Sequence, residues 1–252
     1  MKILLAGICE GSLGKNKGCE KAPYEILKLL KEGWANESGN FLLIETDEVK
    51  FSGDVDDFYS KITEKDFDVL LGGDHSISYP GFKGLKEKNK CLIVFDAHPD
   101  CEIGTKSVDH ECWLRKLIED GEVNKNSIFI VGLRAFSKEE LRFLRENRIN
   151  YFMMGGIFEL GVEEVCETIM EFATSFDGVY LSLDIDVADP AYAPGTGYIE
   201  PGGLSSREMV YFIQRLKMLK NLKRVDIVEV NPDKDINGMT CKLAAKLIME
   251  LA

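Results

Sequence analysis

Eight short apolar runs recur along the chain with longer amphipathic segments between them, and this alternation constrains the fold most strongly. Buried strands that alternate with helices form a mostly parallel sheet that helices cover on both faces. The pattern therefore predicts an α/β fold. The runs are KILLAGI, FLLIET, FDVLLGG, CLIVFDA, SIFIVGL, INYFMM, GVYLSLDID and KRVDIVEV.

Two helix starts are recognisable from the spacing of polar residues. Ser137 with Glu140, and Ser205 with Glu208, have the spacing of a capping box, in which each side chain accepts a hydrogen bond from the other residue's backbone N–H. The segments LRFLREN and MVYFIQRL then follow as predicted helices. No internal repeat, low-complexity tract or Pro/Gly-rich linker divides the sequence, so we predict a single domain over residues 1–252.

Charge and cysteine content exclude several classes of protein. A formal net charge of -12 argues against nucleic acid or an anionic membrane surface as a partner and mildly favours a cationic substrate. The 7 cysteines include no CxxC pair, which argues against a disulfide framework or a thiolate zinc site and favours a reducing cytoplasm. The opening MKILLAGI is too short for a membrane span and has no signal-peptide cleavage region, so it is predicted to be the first buried strand.

Two strand ends carry costly charged groups. In CLIVFDAHPDCE, residues 91–102, an apolar run leads directly into Asp96, His98 and Asp100, and SLDID repeats the device with Asp184 and Asp186. Side chains at alternate positions of an extended segment point the same way and can converge. Four carboxylates without cations would repel one another strongly, whereas two divalent cations would cancel their charge. Carboxylate and imidazole ligands suit Mn²⁺, with Fe, Co or Zn as alternatives.

The positions of the histidines strengthen this metal hypothesis. A lone DxHxD or DxD motif is more often a solvated loop, a set of turn caps or a weak Ca²⁺ or Mg²⁺ site. The chain has only 3 histidines, and all of them lie in predicted strand-end loops. His75 lies in GGDHS, His98 in DAHPD and His110 in SVDHECW. Histidines with purely structural roles would not be confined to such loops, so a metal centre is the preferred interpretation.

At this point the sequence resembles the ureohydrolase family, which comprises the arginases and agmatinases, over nearly its whole length. The resemblance implies a three-layer α/β/α fold, arginase-like, with a mostly parallel central sheet of about eight strands. It also implies a dinuclear Mn²⁺ centre at the carboxyl ends of the strands, and homo-oligomers, commonly trimers or hexamers. The matching motifs, in the family's order, are KGCEKAP, GGDHS, DAHPD, the His110 segment, VGLR, SLDIDVADPAYAPGTG, EPGGL and DIVEVNP.

The resemblance also implies roles for individual residues. Two cations that share a water lower its pKa and supply hydroxide, which attacks the guanidinium carbon to give urea and an amine. Asp100 would orient the hydroxide, His110 would carry a proton to the departing amine, and Glu229 would pair with the guanidinium. Without the family match, Glu229 would be taken for an ordinary exposed or helix-capping acid. The implied ligands are His75, Asp96, Asp100 and Asp184 for one ion, and Asp96, His98, Asp184 and Asp186 for the other.

The substrate is inferred from three charged residues near DAHPD. Arginases carry an asparagine that contacts the substrate's carboxylate where this chain has Glu102, which would repel a carboxylate and attract a terminal ammonium. Lys106, in the same loop, could instead meet a carboxylate. Agmatinases usually continue His-Gly-Thr where this chain has Glu111 and Cys112 after His110. Glu111 could seek an amine or begin the helix ECWLRKLIED.

The sequence therefore favours hydrolysis of a small cationic guanidino substrate, above all agmatine, to putrescine and urea. The alternatives are L-arginine, which would give ornithine and urea, and another guanidino compound such as guanidinobutyrate. Two further classes are a zinc deacetylase of acetylated amines and a non-catalytic binding protein. Cys101 and Cys112 are interpreted as small packing residues, because a metal-activated nucleophile makes a catalytic thiol unnecessary.

Overall fold

A computed structural model describes residues 1–104 and 107–252. The strands of this described part form one eight-stranded sheet with the order β2-β1-β3-β8-β7-β4-β5-β6, and every neighbouring pair is parallel. The prediction of a mostly parallel sheet of about eight strands is confirmed. The strands are β1 Lys2–Ala6, β2 Glu45–Glu48, β3 Val69–Gly72, β4 Lys90–Phe95, β5 Ile128–Leu133, β6 Asn150–Met153, β7 Gly178–Asp184 and β8 Leu222–Val228.

Helices connect the strands and form the two outer layers. Both predicted capping boxes are present, at Ser137 with Glu140 and at Ser205 with Glu208. The α-helices are α1 Ala22–Leu30, α2 Val55–Glu64, α3 Ser78–Lys83, α4 Trp113–Glu119, α5 Lys138–Asn147, α6 Met154–Leu160, α7 Val162–Ala173, α8 Ser206–Leu216 and α9 Met239–Glu250. Short 3-10 turns span Glu10–Ser12, Cys19–Lys21, His75–Ile77, Lys125–Ser127 and Ile185–Val187. Within the described residues, no helix has the length and apolar character needed to cross a membrane.

The buried strands place alternate side chains on opposite faces of the sheet. Along β4, Ile93 and Phe95 pack into one apolar cluster with residues of α1, α7, α8 and α9. Leu92 and Val94 pack into another, with residues of α3, α4 and α5. Because both faces are covered, the strands read as continuous apolar runs rather than alternating ones. The fold is therefore the predicted three-layer α/β/α arrangement.

The second strand begins later than the sequence predicts. The run FLLIET was predicted to be a strand, but β2 contains only the polar segment Glu45–Glu48 at the edge of the sheet. Phe41 is 66% exposed and Leu43 is 85% exposed, whereas Leu42 and Ile44 pack against the core. The run before β2 thus buries alternate side chains against the core without pairing to β1, because the register of β2 begins opposite Lys2 at Glu45.

Candidate metal centre

The candidate ligands follow the carboxyl ends of strands that lie side by side. His75 follows β3, Asp96 follows β4, and Asp184 is the last residue of β7. These strands belong to the adjacent set β3-β8-β7-β4, so their carboxyl ends meet at one edge of the sheet, where open α/β sheets bind ligands. The other candidate ligands, His98, Asp100 and Asp186, lie directly after β4 and β7.

Two groups of possible ligand atoms share Asp96. His75 Nδ1 lies 3.1 Å from Asp96 Oδ2 and 3.1 Å from Asp184 Oδ2. His98 Nδ1 lies 3.0 Å from Asp186 Oδ2 and 3.5 Å from Asp96 Oδ1. In each group, one atom from every residue lies within 4.8 Å of the others. This geometry can hold two cations with Asp96 between them, and the oxygen and imidazole donors suit Mn²⁺.

Asp100 reaches the first group through a turn of the backbone. β4 ends at Phe95, and Asp100 has a φ of 51°, in the left-handed region. Its Oδ2 lies 2.9 Å from His75 Nδ1 and accepts a 2.7 Å hydrogen bond from Trp113 Nε1. The loop conformation, rather than the extended segment assumed from the sequence, brings this carboxylate to the group.

The hydrogen bonding of His75 prepares one ring nitrogen for a cation. His75 Nε2 lies 2.9 Å from Ser182 Oγ, and Ser182 Oγ donates a 2.7 Å bond to Asp226 Oδ1. Ser182 therefore accepts from Nε2–H, which leaves the lone pair of Nδ1 facing the carboxylates. His75 Nδ1 and Asp96 Oδ2 are buried and have no hydrogen-bond partner within the described part of the chain. A cation would satisfy both atoms, so the residues fit a metal.

The pKa values of this cluster show the same need for positive charge. Burial and the nearby carboxylates raise the pKa of Asp184 well above its usual value. Burial and Asp96 raise the pKa of Asp100 to about 6. Burial opposes protonation of His75, yet the facing carboxylates raise its pKa well above the usual value. Without cations the cluster takes up protons, and bound cations would replace them.

His110 and Glu229 lie together beside the candidate ligands. Glu229 directly follows β8 with a φ of 61°, a strained conformation of the kind found at functional sites. Its Oε1 accepts from His75 N at 2.8 Å and lies 3.2 Å from His110 Nδ1, while Oε2 accepts from Asn16 Nδ2 at 2.6 Å. Burial opposes the charge on His110, but Glu229 raises its pKa to about 9. These contacts keep the Glu229 carboxylate ionised and fix its orientation.

A cavity of about 450 Å³ opens above this cluster. Within the described residues its lining includes no lysine or arginine, but several carboxylates, among them Glu102, Glu111 and Glu200. Lys106, predicted as a possible carboxylate partner, lies outside the described residues. The described residues that line the cavity are His98, Asp100, Glu102, Ile103, His110, Glu111, Ala135, Phe136, Ser137, Glu140, Asp184, Asp186, Tyr198, Glu200 and Glu229.

Glu111 does not begin a helix, contrary to one of the two interpretations of the sequence. α4 starts at Trp113, and its first turn contains no acidic residue. The Glu111 carboxylate instead accepts a 2.8 Å hydrogen bond from the Tyr198 hydroxyl. The backbone N–H of Glu111 is already bound to the side chain of Asp109, at 3.0 Å. The side chain therefore serves the cavity rather than the helix dipole.

Sequence reasoning missed several residues that organise this site. Asn16 and Tyr198 lie just outside the matching motifs, and Trp113, the last residue of SVDHECW, was given no role in the sequence analysis. Ser182 and Asp226 left a weak signal, because each is a polar residue inside a run that is otherwise apolar. The thiols of Cys101 and Cys112 are buried, which raises their pKa values and leaves them as packing groups.

Comparison with known proteins identifies the family. The sequence model of the arginase family matches residues 5–252. A protein named arginase from Staphylococcus aureus (strain COL) is 36% identical over 206 residues, which cover 75% of this chain and 68% of that protein. A protein named agmatinase from Bacillus subtilis (strain 168) is 31% identical over 205 residues, 78% of this chain and 67% of that protein. The chain therefore belongs to the arginase family, and the predicted ureohydrolase resemblance is confirmed.

Comparison with solved structures finds the same fold. The crystal structure of formimidoylglutamase from Bacillus subtilis subsp. subtilis str. 168 matches with a TM-score of 0.90 and 25% identity, covering 99% of this chain and 85% of that chain. Membership of the family makes this chain a hydrolase of the C–N bonds of linear amidines. The relatives carry different substrate names, so the family alone does not assign the substrate.

Proposed function

We propose that this protein is a manganese-dependent agmatinase, which hydrolyses agmatine to putrescine and urea. The acidic lining of the cavity carries the proposal. Agmatine has a guanidinium at one end and an ammonium at the other, and a cavity lined by Glu102 and Glu200 with no described lysine or arginine suits a doubly cationic substrate.

Six residues would hold the metal ions. His75, Asp96, Asp100 and Asp184 would bind one Mn²⁺, and Asp96, His98, Asp184 and Asp186 the other. Bound divalent cations supply the activation of a water molecule near neutral pH, which the attack on a guanidinium carbon requires. The hydrogen bonds of Ser182 to His75 and of Trp113 to Asp100 support this proposal, because they fix the orientation of the ligand side chains.

The residues around the reacting carbon have separate tasks. Glu229 pairs with the planar guanidinium, and Asn16 fixes the direction of its carboxylate. Asp100 accepts a hydrogen bond from the attacking water, orients it and takes up the proton that the water loses as its oxygen bonds to the guanidinium carbon. His110, whose Nδ1 faces Glu229, breaks its Nδ1–H bond to protonate the departing amine nitrogen. The C–N bond then breaks to give urea and a free amine.

Selection between agmatine and L-arginine depends on the part of the cavity that receives the end of the substrate opposite the guanidinium. We assign Glu102 to the terminal ammonium of agmatine. The α-carboxylate of arginine would lie near the same glutamate and be repelled. Arginase activity is the second candidate, because the Staphylococcus aureus relative at 36% identity carries that name.

The test is urea release by the Mn²⁺-loaded protein with agmatine, L-arginine and guanidinobutyrate, beside a chelated sample. We expect metal-dependent urea release with agmatine as the preferred substrate. The Glu102→Gln variant should lose about tenfold in kcat/KM for agmatine, the equivalent of about 1.4 kcal/mol. Glu119→Gln, an exposed change on α4, is the matched control. A preference for L-arginine would reject agmatine, and unchanged agmatine kinetics in Glu102→Gln would reject the assignment of Glu102.

A further inference from the structure

His110 is almost enclosed by protein, with 4% of its surface exposed. One ring nitrogen, Nδ1, faces Glu229 at 3.2 Å. The other, Nε2, is buried and has no hydrogen-bond partner within the described residues. A buried N–H group without an acceptor is costly, and a general acid needs a fixed ring orientation. A hydrogen-bond acceptor for Nε2–H would therefore stabilise the protonated ring.

We propose that Glu111 and Tyr198 are positioning residues for His110: Glu111 accepts from Nε2–H and stabilises the protonated ring, and Tyr198 holds Glu111 and the ring in place. The inference rests on the proposed function, in which His110 protonates the departing amine. It goes beyond the role in substrate binding predicted for Glu111 from the sequence.

Glu111 is the carboxylate that faces the free nitrogen. Its Oε1 lies 3.9 Å from His110 Nε2, too long for a hydrogen bond, and a shift of about 1 Å closes the gap. Catalytic hydrogen bonds commonly tighten in this way when substrate binds. The backbone holds the two side chains on one loop, since His110 N donates to Gly11 O and Glu111 O accepts from Glu102 N.

Tyr198 fixes both partners at once. Its hydroxyl donates a 2.8 Å hydrogen bond to Glu111 Oε1. Its ring stacks on His110 with centroids 5.8 Å apart and planes 22° apart, and it also lies 5.3 Å from the ring of His98. Offset stacking at such distances is favourable and restricts rotation of the imidazole. Glu111 and Tyr198 thus act on His110 as a pair.

The two ring nitrogens then have distinct tasks. Nε2–H stays bonded to Glu111 throughout, and Nδ1–H is the proton that passes to the departing amine, as an orienting carboxylate does for other catalytic histidines. The ring is left neutral, with its remaining proton on Nε2. The titratable groups that face His110 are Glu229, Asp100 and Asp74, with Glu111 and Tyr198 on the cavity side.

The first test follows the titration of His110 without any turnover. The NMR signals are recorded with Zn²⁺, because paramagnetic Mn²⁺ would broaden them. Only 3 histidines are present, so the signal of His110 can be assigned by comparison with the His110→Ala variant. In Glu111→Gln the pKa of His110 should fall by about one unit, a tenfold change, because the protonated ring loses a facing carboxylate. Tyr198→Phe, which keeps the stacked ring, should show a smaller fall. Identical titrations in Glu111→Gln and the control Glu119→Gln would overturn the proposal.

The second test uses the kinetics of urea release. In Glu111→Gln, kcat should fall at least about tenfold with KM unchanged, since a positioned general acid contributes about 10²–10⁴-fold. The limb of the kcat–pH profile that reports His110 should move to lower pH by the same amount as the NMR titration. A raised KM with unchanged kcat would overturn the proposal and assign Glu111 to the substrate. If the wild-type protein released no urea, the proposed function would be rejected. The NMR titration would still show whether Glu111 interacts with His110.

Discussion

At the scale of single residues, Trp113 links the apolar core to the candidate ligands. It is completely buried, its Nε1 donates a 2.7 Å hydrogen bond to Asp100 Oδ2, and its ring lies 4.6 Å from that of His75. One side chain thereby orients a carboxylate and packs against an imidazole of the same group. Such partners of metal-binding side chains contribute to metal affinity as well as to stability.

Replacing Trp113 should therefore affect both properties. Trp113→Phe removes the hydrogen bond to Asp100 and leaves unfilled space, so the free energy of unfolding should fall by about 1–3 kcal/mol. The affinity for Mn²⁺ should fall about 10–100-fold. Urea denaturation and Mn²⁺ titration measure the two effects. Trp34→Phe is the matched control because Trp34 is 66% exposed; equal effects of the two changes would contradict the role given to Trp113.

A pair of variants separates metal binding from proton transfer. Asp184→Asn should lose metal and activity together, because this carboxylate would help to hold both of the proposed ions. His110→Ala should keep both ions and lose about 10²–10⁴-fold in kcat. Metal analysis of the purified variants and urea release measure the outcome. Full turnover by His110→Ala would remove that residue from the mechanism.

The sequence reveals these residues unevenly. Asp96, His98, Asp184 and Asp186 could be found because they cluster directly after apolar runs. Asn16 could not, since it reaches Glu229 from 213 positions away in the chain. The structural partners come from whichever segment the fold brings near, and a single sequence contains no signal for that proximity.

At the scale of elements, local hydrogen bonding made the helix starts predictable. In the capping box of α8, Glu208 N donates to Ser205 Oγ at 3.2 Å, and Ser205 N donates to Glu208 Oε2 at 2.6 Å. These contacts depend on residues three positions apart, so the sequence specifies them. The first four residues of the run FLLIET were predicted wrongly as part of a strand, because pairing at a sheet edge depends on register with β1, a tertiary property.

The capping box of α8 should contribute measurably to stability. Ser205→Ala removes the acceptor for Glu208 N and should lower the free energy of unfolding by about 1 kcal/mol. Ser206→Ala is the matched control, since Ser206 is the first residue of α8 and takes no part in the box. Urea denaturation curves of the two variants and the wild type provide the comparison. A Ser206→Ala protein as destabilised as Ser205→Ala would contradict the capping role.

At the scale of the whole molecule, strand order assembles the site. The sequence predicts parallel strands but does not reveal that β3, β8, β7 and β4 are neighbours. That order brings side chains from positions as far apart as 75 and 229 to one edge of the sheet. Once the order is given, the position of the site follows from parallel topology, because all carboxyl ends lie on the same side.

The stability of the metal-free protein and its affinity for metal should change with pH in opposite directions. The pKa of Asp100 is raised to about 6, and the pKa values of Asp184 and His75 are also raised. The metal-free folded protein therefore binds more protons than the unfolded chain from about pH 4 to about pH 6 through Asp100, and above that range through His75, so its free energy of unfolding falls as pH rises. The pKa of Asp186 is lowered to about 2, which opposes this trend only at acid pH.

Metal affinity should change in the other direction, because cations bind deprotonated ligands more strongly as pH rises. The difference in melting temperature between Mn²⁺-loaded and chelated protein should therefore widen from about pH 5.5 to about pH 8.5. Free Mn²⁺ at 100 times its dissociation constant adds about 2.7 kcal/mol, or roughly 5–10 °C for a chain of this size. The Asp184→Asn variant lacks one of the proposed metal ligands, so its melting temperature should be nearly the same with Mn²⁺ as with chelator at any pH. A wild-type difference that stays constant or narrows as pH rises would show that metal does not displace protons from these residues.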